Sequence, residues 1–280
     1  MLRITPLLLA LGLTATAARA APERTGPCAS DQPEAGVGIR TFTGPGDLGR
    51  TPEACAASAG SIDTAGALTL DLDDFYGGIR IGAALHTRLA LSDALWFSLG
   101  LPAVHWTYSA NASIEAEVID AGPLTLGAHL RAWHDETLQV APYARLLLPT
   151  DTGYERAVRL GGELGAVLLV RTGARFELVV GAALTEVVVV NNPSALATTT
   201  AQVTSDATWR PSDWFSLALG IGLRLVPSEA DVFESFDPRL GLRFYPWRGL
   251  AIDLSAHLPL AGRDRTTAAA MLSLGWIFGR

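Results

Sequence analysis

Residues 239–260, RLGLRFYPWRGLAIDLSAHLPL, decide the fold. Two alternating runs flank a tight turn. In the second run Leu250, Ile252, Leu254, Ala256, Leu258 and Leu260 fall on one side, and Ala251, Asp253, Ser255, His257 and Pro259 on the other. Successive side chains of a strand point to opposite faces, so this is a period-two strand with one apolar face. The first run repeats the pattern, with Leu240, Leu242 and Phe244 opposed to Arg239, Gly241, Arg243 and Tyr245. Pro246-Trp247-Arg248-Gly249 joins them through turn-forming Pro and Gly. The stretch predicts one hairpin of a transmembrane β-barrel.

The same signature recurs from near Ala65 onward. Ile79, Ile81, Ala83, Leu85, Leu89 and Leu91 oppose Arg80, Gly82, His86 and Arg88. Leu124, Leu126, Ala128 and Leu130 oppose Thr125, Gly127, His129 and Arg131. Leu138, Val140, Ala144, Leu146 and Leu148 oppose Gln139, Tyr143 and Arg145. Leu160, Leu164, Ala166, Leu168 and Val170 oppose Arg159, Gly161, Glu163 and Gly165. The whole series predicts an all-β, closed antiparallel barrel of about twelve strands, an even number as in bacterial single-chain barrels. Two kinds of connection alternate. Those at Ser92, His134, Thr172, Pro211 and Trp247 are tight, and those near Ser109, Asp151, Asn191, Ser228 and Gly262 are mostly longer and more polar. Outer-membrane barrels have short periplasmic turns and longer outer loops, which places both termini in the periplasm.

The ends of the chain carry other signals. Residues 1–20 read as a secretory signal: Arg3 gives a positive start, residues 7–13 an apolar core, and Ala18-Arg19-Ala20 a cleavage site. That core is shorter than the roughly 20 residues a membrane helix needs. Cleavage takes the basic side chains from 21 to 19 against 28 acidic ones, and the net charge from −7 to −9. Such a balance argues against nucleic acid as a partner. The only cysteines, Cys28 and Cys55, follow the signal and would meet an oxidising periplasm, so a disulfide between them is expected. Residues 21–63 form an N-terminal segment without sustained period, either a periplasmic extension, a plug inside the barrel or a flexible leader. Residues 64–280 form the barrel.

Alternation alone does not say which face meets lipid, because a soluble barrel buries its apolar face. Four features favour lipid. About twelve strands enclose a space too wide for an apolar interior to fill. The polar faces are rich in Gly, Ala, Ser and Thr. Trp96, Phe97, Trp133, Phe176, Trp209, Trp214, Phe215 and Trp247 gather beside the tight turns, as a girdle at one membrane interface would. The apolar strips are almost free of charge, and a lipid-facing charge at mid-membrane costs roughly 2–4 kcal/mol.

Residues 271–278, MLSLGWIF, resemble the C-terminal assembly signal of bacterial outer-membrane proteins, with Gly279 and Arg280 beyond the final aromatic. Residues 122–150, GPLTLGAHLRAWHDETLQVAPYARLLLPT, resemble a hairpin found in uncharacterised outer-membrane barrels, including relatives of a proposed transporter group linked to aromatic-compound degradation. The resemblance implies outer-membrane lipid as the surroundings, with the barrel-assembly machinery and periplasmic chaperones as partners during biogenesis.

With the apolar faces outward, the lumen receives Arg80, His86, Arg88, His129, Arg131, Arg145, Arg159, Glu163, Arg224, Arg239, Arg243, Asp253 and His257. Nearly all are basic, so acidic residues are expected in the loops and the N-terminal segment. A cationic passage favouring anions is one reading. The other is that these charges pair with Glu163, Asp253 and loop carboxylates to fill a narrow barrel. Ser255 and His257 share a face beside Asp253, a weak hint of a lipid hydrolase, with no strained nucleophile turn around Ser255. His86, His105, His129, His134 and His257 are dispersed, so no metal site or cofactor is expected. The sequence therefore points to a non-enzymatic, monomeric passive channel or facilitator for small polar or anionic solutes. A structural or adhesive barrel with a plugged lumen is the alternative.

Overall fold

The computed structural model describes residues 60, 62–73, 78–111, 114–149, 158–172, 175–190, 197–227, 233–247, 250–258, 260–262 and 268–278. The signal, Cys28 and Cys55 lie outside them. Twelve antiparallel strands follow one another: β1 Ile62–Asp73, β2 Gly78–Ala90, β3 Leu95–Asn111, β4 in three pieces (Ile114–Ala121, Leu124–Leu130 and Trp133–His134), β5 Leu138–Leu148 and β6 Arg159–Thr172. Then come β7 Phe176–Val189, β8 Thr198–Ser212, β9 Phe215–Leu225, β10 Phe233–Trp247, β11 in two pieces (Leu250–His257 and Ala261–Gly262) and β12 Ala268–Phe278. The first two pieces of β4 lie along β3, and the last two along β5. The first break falls at Gly122 and Pro123, where proline has no N–H to give the ladder.

Each strand pairs with the next, and β12 returns to β1 with Ile62 opposite Phe278 and Leu72 opposite Ala268. The ring is closed. Every strand edge is used, the condition for a sheet to stand in hydrocarbon. Ile62 also faces Leu89, so the chain enters the barrel at the tight-turn end.

The two faces separate as the alternation predicts. Leu164, Leu184, Leu68 and Leu219 point outward and are 68%, 58%, 57% and 57% exposed. Inner-face neighbours such as Ala67, Thr69 and Glu163 are buried. A continuous belt of exposed leucine, isoleucine and valine is far larger than water tolerates on a soluble monomer.

Trp133, Phe176, Trp209 and Trp214 are exposed beside the tight turns, and Trp214, Phe215 and Phe244 pack together with ring centroids 5.3–6.4 Å apart. This is the expected girdle, with one correction. Trp96 is 0% exposed and points inward. Leu95, Phe97 and Leu99 are the outward series of β3, so the residue between two of them faces the other way. The side chain of Trp247 lies outside the description. At the turn before β5, Asp135 Oδ1 accepts from the amides of Thr137 and Leu138 at 2.8 and 2.7 Å. Those bonds hold the Asp135 carboxyl below its ordinary value.

The inward Tyr143 ring reaches over a glycine of the neighbouring strand. Tyr143 sits opposite Gly165, and a Cβ at Gly165 would meet the Tyr143 ring at 2.5 Å and the Ala182 carbonyl at 2.7 Å. Gly165→Val should therefore destabilise the barrel by about 1–3 kcal/mol through overpacking. Gly66→Val, whose Cβ would meet nothing closer than 3.8 Å, should be tolerated. Urea titration of both variants in lipid vesicles checks the pair.

Candidate lumen lining

The expected lumen residues fall largely on one surface. His86, Arg88, His129, Arg145, Glu163, Arg239, Arg243, Asp253 and His257 are buried on the face opposite the leucines. Arg80 and Arg224 share that face and are half-buried. Arg131 sits at a break in β4, partly exposed at the tight-turn end, with its amide bonded to Ala94 O at 2.8 Å. Arg159 opens β6 opposite Val189, and its side chain lies outside the description.

Carboxylates accompany these arginines: Glu163 and Asp253, as the second reading of the lumen expects, and Asp63 and Asp206 besides. Arg88 pairs with Asp63 of β1. Arg145 Nη1 lies 3.6 Å from Glu163 Oε1, and Glu163 Oε2 accepts from Thr185 Oγ1 at 3.0 Å. Arg243 Nε donates to Asp253 Oδ2 at 3.1 Å. Arg239 Nη2 donates to Asp206 Oδ2 and to Ile221 O, each at 3.2 Å. Arg171 and Glu177 pair nearer the tight-turn mouth. Antiparallel register produces most of these contacts, since Asp63 faces Arg88, Arg145 faces Glu163 and Arg243 faces Asp253. A guanidinium and a carboxylate on facing positions of one inner wall are within reach of each other.

The Arg239–Asp206 pair spans an intervening strand. Gly220 of β9 stands between them in register, and a Cβ there would come within 2.1 Å of Asp206 Oδ1. Glycine leaves room for two long side chains to meet over the strand.

A stack crosses β3, β4 and β5 on the inner wall. Trp96, His129 and Tyr143 are successive register partners. Their ring centroids are 5.3 Å apart at each step, with interplanar angles of 13° and 21°. Arg145 lies over the Tyr143 ring at 5.6 Å, and Ser98 Oγ is 3.1 Å from His129 Nε2. Alternation flagged His129 and Arg145. It did not flag the stack or the roles of Asp63 and Asp206, because those depend on register between strands.

Ser255, His257 and Asp253 share the inner face, but Asp253 is bonded to Arg243 and Ser255 Oγ makes no hydrogen bond among the described residues. No base is therefore joined to that hydroxyl, as a serine nucleophile requires.

Solved structures share this architecture. An outer-membrane channel from Pseudomonas putida F1 matches with a TM-score of 0.63 and 12% identity, over 82% of this chain and 99% of that one. The NanC porin matches with a TM-score of 0.54 and 7% identity, over 77% of this chain and 98% of its own. At these identities the likeness is one of fold. No protein-family model matches the chain, and no curated protein sequence does. With its apolar outer belt and charged inner wall, the molecule is a closed transmembrane barrel of the bacterial outer-membrane type.

Proposed function

We propose that this outer-membrane barrel is a passive channel for small polar or anionic solutes. The observation that carries the reading is the inner wall of a closed twelve-strand ring, lined by arginine, histidine, serine and threonine while the leucines face out. The shared fold with an outer-membrane channel and a porin supports it. Arg80, Arg131 and Arg224 are only partly buried, so they supply positive potential where a solute can feel it. Arg88, Arg145, Arg239 and Arg243 are buried against carboxylates and contribute less.

One observation favours a second reading, a structural barrel with a filled lumen: the buried inner-wall arginines are ion-paired. Planar-bilayer recording separates the two. A steady current with an anion-selective reversal potential in a KCl gradient is the expected result, and a silent barrel would favour the filled lumen. Exchanging Arg80, Arg131 and Arg224 together for glutamate should lower the anion-to-cation permeability ratio about threefold or more. An unchanged ratio would remove the anion preference.

A further inference from the structure

Arg145 differs from the other inner-wall arginines in how it is bonded. Arg243 and Arg239 each donate a hydrogen bond to an aspartate. The Arg145 side chain is 1% exposed, and its contact with Glu163 is 3.6 Å, too long for a hydrogen bond. Its Nε and Nη2 are buried and have no hydrogen-bond partner among the described residues. Buried charged donors are nearly always satisfied, and an exception calls for a ligand, a function or a strain to explain it.

Nε and Nη2 form one edge of the guanidinium, spaced to take both oxygens of a carboxylate or two of a phosphate. The surroundings suit that task. The Tyr143 ring under the guanidinium fixes its plane. Thr185 holds Glu163 toward β7 through the other carboxylate oxygen. On the opposite side the register runs from Arg145 to Gly127, which has no side chain, and on to Ser98, whose hydroxyl meets His129. The Ser98 hydroxyl and the His129 imidazole therefore crowd over Gly127, the position next to Arg145 in register.

We infer that Arg145 is a binding station for an oxyanion, the carboxylate or phosphate group of a passing solute, held bidentately by Nε and Nη2. The side chains around it close over the site, and an entering anion takes the Nε–Nη2 edge while Glu163 stays beside Nη1. The station rests on the channel reading for its purpose. Binding itself needs no conduction, so the test is independent of current.

The full chain, refolded in detergent, is titrated with sodium acetate by saturation-transfer NMR and with inorganic phosphate by phosphorus NMR. Saturable binding of acetate, phosphate or both is expected, and the stronger of the two identifies the anion. Arg145→Lys keeps the charge and loses the fork, so it should weaken binding about tenfold. Arg175→Lys, at an exposed position outside the lumen, should leave it unchanged. Glu163→Gln removes the competing carboxylate and should tighten binding, and it decides the matter should Arg145→Lys fail to fold. No saturable binding of either anion, equal binding by Arg145→Lys, or unchanged binding by Glu163→Gln would overturn the inference. Ion current without anion binding would leave the channel standing and remove the station. Binding without current would do the reverse.

Discussion

Arginine in place of Leu164 should cost the folded barrel about 2–4 kcal/mol in a bilayer. Leu164 is 68% exposed and lies between Ala144 and Leu184 in register, in the middle of the outward belt. Its register partners Ala144 and Leu184 carry no charge, so a guanidinium there must be dragged toward an interface. Leu164→Ala removes apolar contact without adding charge and should cost much less. Urea unfolding in lipid vesicles, followed by tryptophan fluorescence, measures both. Equal effects for Arg and Ala would mean that Leu164 does not face hydrocarbon.

Removing the Asp253 carboxylate should be at least as damaging, from the opposite face. Asp253 is 0% exposed and accepts from Arg243 Nε at 3.1 Å. Asp253→Ala leaves the Arg243 charge buried without that partner, a loss of about 3–5 kcal/mol when one member of a buried pair is deleted. Deleting both, as Asp253→Ala with Arg243→Met, removes the uncompensated charge and should recover most of the stability. The same urea titration reports it. A double variant no more stable than the single one would show that the pair is not the reason Asp253 matters.

Much of the architecture was legible because hydrocarbon imposes a strict rule on each strand separately. Leu250, Ile252 and Leu254 announce their face without reference to any other strand, and the short connection at Ser92 contrasts with the polar stretch near Ser109. The inner wall was legible only as a set of residue types. Which carboxylate meets which arginine depends on register, and register is a relation between strands that alternation within one strand does not carry. Asp63 was read as part of the N-terminal segment, and β1 begins early enough to set it opposite Arg88. Asp206 meets Arg239, which lies two strands away and is reached over Gly220. Trp96 misled for a simpler reason. Residue type and closeness to a turn suggested the girdle, whereas its position next to outward Phe97 places it inside.

The central claim is that leucines look into lipid while arginines and histidines look in. A nitroxide scan along residues 178–188 of β7, in lipid vesicles, tests it most directly. Oxygen accessibility should oscillate with a period of two, with maxima at Ala182, Leu184, Glu186 and Val188, the exposed positions within that span. Maxima at the odd positions, or no oscillation at all, would contradict the account.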